Sequence, residues 1–407
     1  MGISNPRPLN SLMVDVPPSW RWARLDEICN GVFDCPHTTP KLVVNSDYLV
    51  VRTQDILTGI FRHESAGRVS ADTYMDRIQR AEPVADDLLY SREGTYFGIA
   101  AEVPKNVKVC LGQRMMLIRP KRELINSRYL RYWLNSPLMS GYIYGYRDGS
   151  VAERLNLPVV RGLPVALPPL QTQHVIAGIL GALDDKIELN RRMNATLESM
   201  ARAVFQELVK DEGGEEKLIG DVVTIVGGST PSTANLAFWD GGDIHWATPK
   251  DLAPLQSPFL LDTNSRITAL GLQEISSGLL PVGTVLLSSR APIGYLAIAQ
   301  IPTAINQGFI AIKCTTEVPN YFVVNWLKAN MEEIIGRANG TTFLEISKSN
   351  FRPMKIVIPP PERMKVFIEV VEPLYQKIVA NLKESRTLAN LRDSLLPKLM
   401  RGEVRVK

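Results

Sequence analysis

The chain is written twice, and that limits what it can fold into more than anything else in it. The segment LPVALPPLQTQHVI (163–176) aligns with MKIVIPPPERMKVF (354–367) at an offset of 191 residues. Carried backwards, the same offset sets Gly149, Leu155 and Arg161 against Gly340, Ile346 and Arg352. Carried forwards, it sets Leu183, Lys186, Ile187, Asn190 and Leu197 against Leu374, Lys377, Ile378, Asn381 and Leu388. Further upstream the offset drifts by a few residues, as insertions would make it, yet DDLLYSREG (86–94) precedes LGQRMMLIRP (111–120) just as TVLLSSRAP (284–292) precedes INQGFIAIK (305–313). One supersecondary plan is therefore built twice in tandem.

Each copy reads as one globular and one helical region: globular over 1–162 and 213–353, helical over 163–212 and 354–407. With 407 residues and 45% hydrophobic content there is material for two to four cores. The globular parts carry short β-rich runs (YLVVRT, MMLIRP, TVLLSS, FIAIK) between Gly, Pro, Asn and Asp, and short helices fit at 127–135 and 319–330. The fold class is α+β: two mixed α/β domains, strands dominating, separated by two long helices.

The helical regions show apolar residues at seven-residue spacing. In the first, one seam holds Ile176, Leu183, Asn190, Leu197 and Val204 and the other Leu180, Ile187, Asn194, Ala201 and Leu208. The second repeats this with Phe367, Leu374, Asn381, Leu388 and Leu395, then Val371, Ile378, Ser385, Arg392 and Leu399. Both follow proline-rich stops, PPL and PPP, where proline is tolerated in a first turn. Pro373 falls inside the second pattern, where it is expected to kink the helix or delay its start at about 3 kcal/mol. Short connections to globular domains at opposite ends require the helices to run antiparallel, as a coiled coil about a pseudo-two-fold axis. That axis brings Asn190 and Asn381, both mid-helix, across the seam from one another, with Leu183 near Leu388 and Leu197 near Leu374. An amide there fixes register, because misaligned helices leave it unpaired among apolar side chains. The alternative is that both amides face a partner or solvent.

A formal charge of +4 permits a polyanionic partner without requiring one. Cys29, Cys35, Cys110 and Cys314 are irregularly spaced and read as reduced thiols; Cys29, Cys35 and His37 crowd one loop, but there is no paired CxxC to complete a zinc site, so no metal is assigned. No long uncharged apolar stretch and no secretory layout are present, so the protein is expected in the cytoplasm, away from membranes. Motifs for catalysis are missing. There is no GxxxxGK[ST] phosphate loop, no [ND]PP[YF], no GxSxG and no HExxH, and four histidines offer little acid–base material. No catalytic residue is assigned, and the chain is read as a non-catalytic subunit.

Several fragments, taken in order, carry a family resemblance. GGSTPSTANLAFWDGGDIHWATPKDL (227–252), LPVGTVLLSSRAPIGYLAIA (280–299) and INQGF (305–309) resemble the target recognition domains of specificity subunits of Type I restriction-modification systems. DCPHTTPK (34–41), VVRTQDI (50–56), YSREG (90–94) and CLGQRMMLIRP (110–120) look like another variety of that domain, and LLPKLMRGEVRV (395–406) is similar to the family's ending. The resemblance implies two domains that each read one half of a bipartite site in double-stranded DNA, with the helices as a ruler that docks two modification subunits. S-adenosylmethionine would then belong to those methyltransferase subunits, ATP and Mg to restriction (translocase and endonuclease) subunits, and no cofactor to this chain. Two other readings stay open: a structural adaptor that does not read DNA, and a specificity subunit serving a related system whose methyltransferase and nuclease are fused.

Base edges are read by side-chain donors and acceptors on loops, and phosphates are held by Lys, Arg, Ser, Thr, Asn and backbone amides. Candidate DNA contacts in the first domain are His37, Thr38, Thr39, Lys41, Arg52, Gln54, Arg92, Gln113, Arg114 and Arg147. In the second they are Ser229, Thr230, Ser232, Lys250, Ser289, Arg290, Asn306, Gln307 and Thr341. For each the plainer reading is a turn-former or solvated side chain. Arg92 and Arg290 stand out because LLYSR and LLSSR place them at matching ends of a short apolar strand. Tyr142, Tyr144 and Tyr146 offer either stacking surfaces for a base or core packing.

Overall fold

A computed structural model describes residues 15–94, 97–144, 154–210, 213–340 and 344–406. The chain divides into two compact units, one of the residues up to Asp185 together with those from Leu388 onward, the other Lys186–Thr387.

The first unit is built on a four-stranded sheet in the order Cys29–Asp34, Met115–Pro120, Leu88–Ser91, Ala100–Glu102, with a three-stranded sheet Gly67–Val69, Tyr48–Val51, Val109–Leu111 beside it. The second unit repeats the plan. Thr224–Gly227, Phe309–Lys313, Val285–Ser288 and Leu296–Ala299 take the same order, extended by Phe259–Leu260, and Ser265–Ile267, Ile244–Ala247, Ala304–Ile305 form the small sheet. In both small sheets one pair is antiparallel and the other parallel.

A short helix covers each main sheet. In the first unit it is Ser127–Leu134, started by Asn126, whose side chain accepts from the Tyr129 amide at 2.9 Å. Its buried aromatics are tied to the next strand: Trp133 Nε1 donates to the Pro164 carbonyl at 2.8 Å and the Tyr129 hydroxyl to that of Ala166 at 2.7 Å. Asn320–Ala329 holds the same place in the second unit, with Phe322, Val323 and Leu327 fully buried.

The residues from 164 and 355, which open the regions read as helical, are strands. Pro164–Leu167 pairs with Arg21–Arg24, and Lys355–Ile358 with Glu215–Leu218. The prolines that follow end each strand, so the long helices begin only at Leu170 and Pro361, and run to Lys210 and Met400. The second is continuous through Pro373, so the sequence expectation of a delayed start there does not hold. Proline removes one amide donor, while Phe367, Val371, Tyr375 and Ile378 on the same face are buried in the second core. Burying side chains of that size contributes roughly 1.5–3 kcal/mol each, more than the loss of about 3 kcal/mol.

Within the second unit the two helices run antiparallel. Asn190 meets Ser385, Asn194 meets Asn381, and the Phe205 and Phe367 rings lie 6.2 Å apart. Asn190 Nδ2 donates to the Asn381 carbonyl at 3.4 Å, to Glu384 Oε2 at 2.9 Å and to Ser385 Oγ at 3.2 Å, while Asn381 Nδ2 donates to Asn194 Oδ1 at 2.8 Å. All three asparagines are buried. Leu197 and Leu374 border one hydrophobic cluster; Leu183 and Leu388 are both half-buried in the first unit.

Within the first unit, Asp184 is the hub of a buried polar network. Its carboxylate accepts from the Tyr132 hydroxyl at 2.5 Å, from Arg131 at 3.2 Å and from Arg392 at 2.8 Å. Ile176, Ala177 and Leu180 pack beside it with Leu396, Leu399 and Met400 in one core.

Candidate nucleic-acid interface

Three segments converge at the same end of each small sheet. The first is the loop that leaves the opening strand of the main sheet, carrying His37, Thr38, Thr39 and Lys41 in one unit and Ser229, Thr230 and Ser232 in the other. The second is the helical turn after the central strand of the small sheet, with Arg52 and Gln54, or Thr248 and Lys250. The third is the turn before the Met115 or Phe309 strand, with Gln113 and Arg114, or Asn306 and Gln307. The helical turns are started alike: the Arg52 amide donates to buried Asp55 at 2.8 Å and the Thr248 amide to buried Asp251 at 2.7 Å. Gln54 and Lys250 each precede that aspartate and are exposed. Glycine is required where these segments touch. A Cβ on Gly112 would strike the Val51 carbonyl, and one on Gly228 the Ile305 carbonyl.

In the first unit His37, Arg92, Glu93, Gln113, Arg114 and Arg154 line a cleft of about 380 Å³. Arg114 lies 3.4 Å from Glu93. Three guanidinium groups against Glu93, and Asp34 behind Arg92, leave the cleft with a net positive charge. Arg77, which sequence reasoning passed over, braces its rim: buried itself, it donates to the Leu111 and Pro36 carbonyls and to Thr38. Lys348 is a second omission, its ammonium lying over Gly227 at the root of the loop that carries Ser229 and Thr230. An arginine on an amphipathic helix and a lysine in a polar turn gave no pattern to find.

Arg92 and Arg290 are not at matching places. Ser91 pairs with Met115 as Ser288 pairs with Phe309, so Arg92 corresponds to Ser289 and Glu93 to Arg290. The Leu155 amide bonds to the Arg92 carbonyl as that of Ile346 bonds to Ser289. The extra serine in LLSSR displaces arginine by one residue, which turns it to the other face of an extended chain. Arg92 is buried, within 3.3 Å of Asp34 and 3.4 Å of His37 Nδ1, whereas Arg290 is half-exposed and 3.6 Å from Glu345. Ser289 is buried as well. Arg147, Tyr146 and Thr341 lie outside the described residues; Tyr142 is buried in the core, and Tyr144 lies edge-on to Phe97.

The ligand atoms of Asp34, Cys35 and His37 lie within 4.8 Å of one another, but the Cys29 thiol is not among them. The Arg92 guanidinium already supplies the cation between Asp34 and His37. Burial first, then Asp34, pushes the Cys35 thiol up, and burial pushes Cys29 up to about 12, so both stay protonated thiols. All four cysteines are free. Among the described residues no helix is long and apolar enough to cross a membrane.

A duplicated α/β scaffold, each copy presenting cations and amides on convergent loops and each sharing in a pair of long helices, defines the class of protein. A family model described as the Type I restriction modification DNA specificity domain matches the chain twice, over residues 17–199 and 212–387, and the chain belongs to that family. It is similar to the specificity subunit of the Type I restriction enzyme MjaIX of Methanocaldococcus jannaschii, with 25% identity over 398 residues that cover 92% of this chain and 88% of the relative. It is also similar to the HindI specificity subunit of Haemophilus influenzae, with 23% identity over 441 residues, 87% of this chain and 94% of the relative. In fold it matches the crystal structure of a Type I restriction-modification S subunit from M. genitalium, at a TM-score of 0.60 and 16% identity over 97% of this chain and 98% of that one.

Proposed function

We propose that this chain is the sequence-reading subunit of a Type I restriction-modification enzyme, in which residues 1–162 read one half of a bipartite DNA site and residues 213–353 the other. The observation that carries the reading is the doubling: two matches to a DNA specificity domain fall on two units with the same strand order and the same three convergent segments. The long helices form an antiparallel coiled coil that sets the gap between half-sites, held in register by Asn190 and Asn381, and dock two modification subunits. Methyl transfer from S-adenosylmethionine, and ATP- and Mg-dependent restriction, belong to the partner subunits, and this chain works without a cofactor in the cytoplasm.

Exchanging residues 1–162 for the matching domain of a relative, in a complex with its modification subunits, is expected to change one half of the methylated motif and spare the other. Methylome sequencing reads the outcome. Change in both halves, or in neither, overturns the division of labour. Adding one heptad to each helix lengthens it by about 10 Å, close to three base pairs at about 3.4 Å each. The gap in the methylated motif is expected to grow while both half-sites persist, and an unchanged gap in an active variant removes the ruler.

A further inference from the structure

One contact is made twice. In the first unit the Thr39 hydroxyl donates to Gln113 Oε1 at 3.0 Å; in the second the Thr230 hydroxyl donates to Gln307 Oε1 at 2.5 Å. The partners correspond. Gln113 stands two residues before Met115 and Gln307 two before Phe309, which hold equivalent places in the two sheets. Each threonine lies on the loop leaving the first strand of its sheet and is followed by proline, Pro40 or Pro231. Around this contact the loops differ: Arg92 is replaced by Ser289, Glu93 by Arg290 and Gln54 by Lys250.

Folding gives no reason for the recurrence, since all four side chains are exposed and such a hydrogen bond adds little to stability in water. Its effect is on order. A free glutamine samples many rotamers and loses roughly 1.5–2 kcal/mol of freedom when fixed. A threonine hydroxyl that donates to Oε1 fixes which way the amide faces and leaves one oxygen lone pair and the NH₂ group for a ligand. In Gln113 the amide nitrogen is steadied further by the His37 carbonyl at 3.4 Å. An amide with acceptor and donor side by side matches the N6 and N7 edge of adenine in the major groove.

We propose that Thr39–Gln113 and Thr230–Gln307 are a duplicated reading device, in which each glutamine reads one adenine of its own half-site and each threonine is the positioning residue that holds the amide for it. The inference rests on the DNA-reading function proposed above, and names the side chains that perform it.

The test uses the full chain with its modification subunits and S-adenosylmethionine on a randomised duplex library, with methylated sequences read out. Gln113→Leu is expected to relax one A·T position of one half-site by about 5- to 150-fold in discrimination, with the other half-site intact. Thr39→Val should relax that same position, Thr39→Ser should restore it, and Thr39→Val added to Gln113→Leu should relax it no further. Gln307→Leu, Thr230→Val and Thr230→Ser should behave likewise in the other half-site. The undisturbed half-site in each variant reports folding. Unchanged preference in Gln113→Leu, relaxation at a base other than adenine, loss of all methylation, or a uniform loss across positions in Thr39→Val overturns the proposal. Wild-type complex that methylates no bipartite motif instead overturns the DNA-reading function itself.

Discussion

Asp184→Ala is expected to destabilise the first unit by about 3–5 kcal/mol, measured as a lowered unfolding midpoint in urea or by calorimetry. The carboxylate is buried and satisfies Tyr132, Arg131 and Arg392 together, and Arg131 is buried too. Removing it leaves the Tyr132 phenol without its acceptor and each guanidinium with one carboxylate in place of two, Glu102 beside Arg131 and Asp393 beside Arg392, which costs more than the intact network contributes. Burial opposes ionisation of Asp184, but the Tyr132 hydrogen bond and the charges of Arg131 and Arg392 outweigh it and hold the carboxyl below the usual 3.8. A carboxylate with a depressed pKa stabilises the fold fully above its unfolded value, and the contribution fades as pH falls through the folded one. The gap between wild type and Asp184→Ala is therefore constant near neutrality and narrows below about pH 4. A loss under about 1 kcal/mol at pH 7 would show that the network is solvated and of little weight.

Asn190→Asp is the next largest expected effect, about 3 kcal/mol of destabilisation at neutral pH from a change of one atom. The side-chain nitrogen of Asn190 points at the Asn381 carbonyl and the Glu384 carboxylate, both acceptors. A carboxylate there would be buried against Glu384, whose charge Lys186 offsets only in part, and among the described partners of Asn190 Nδ2 only Ser385 has a proton to give. Asn190→Leu should leave stability within about 1 kcal/mol of wild type or raise it, because Asn190 Oδ1 has no partner among the described residues and leucine removes that orphaned acceptor. Urea denaturation of the two variants checks both signs. If Asn190→Asp is as stable as wild type, the amide is not held as described. The triple variant Asn190→Leu/Asn194→Leu/Asn381→Leu, which also removes the Asn194 oxygen that Asn381 satisfies, then separates stability from register: a chain at least as stable that methylates sites of mixed gap length is the expected pattern.

How much of this was legible beforehand depended on whether a period was present. The helices were, because Ile176, Leu180, Val371 and Ile378 recur at helical spacing and burial follows that spacing. The pairing of Asn190 with Asn381 came from the repeat, which predicts a two-fold relation without any contact being known. Asp184 was not legible. It is a charged residue next to Leu183, one position off the seam, and only the arrival of Arg131 and Tyr132 from a distant helix gives it a reason to be buried. The loop candidates were found as residue types, and the structure brings Thr39 to Gln113 and Thr230 to Gln307 across 74 and 77 residues that no local pattern joins. Arg92 and Arg290 show the opposite failure, since similar letters suggested an equivalence that the strand ladder shifts by one.

The first unit closes with residues from the far end of the chain. Ile176, Ala177 and Leu180 are covered in part by Leu396, Leu399 and Met400, whereas the second unit is one uninterrupted stretch. On the ribosome this inverts the usual order, in which the earlier domain is finished first. At about 5–20 residues per second, roughly 10–40 s separate the emergence of Asp185 from that of Leu388. At the end of that interval the second unit has all of its residues, whereas the first still lacks Leu396, Leu399 and Met400. Until the last helix arrives the apolar edge of the first core stays uncovered, a nascent surface that chaperones bind and that truncation near residue 390 would leave open for good.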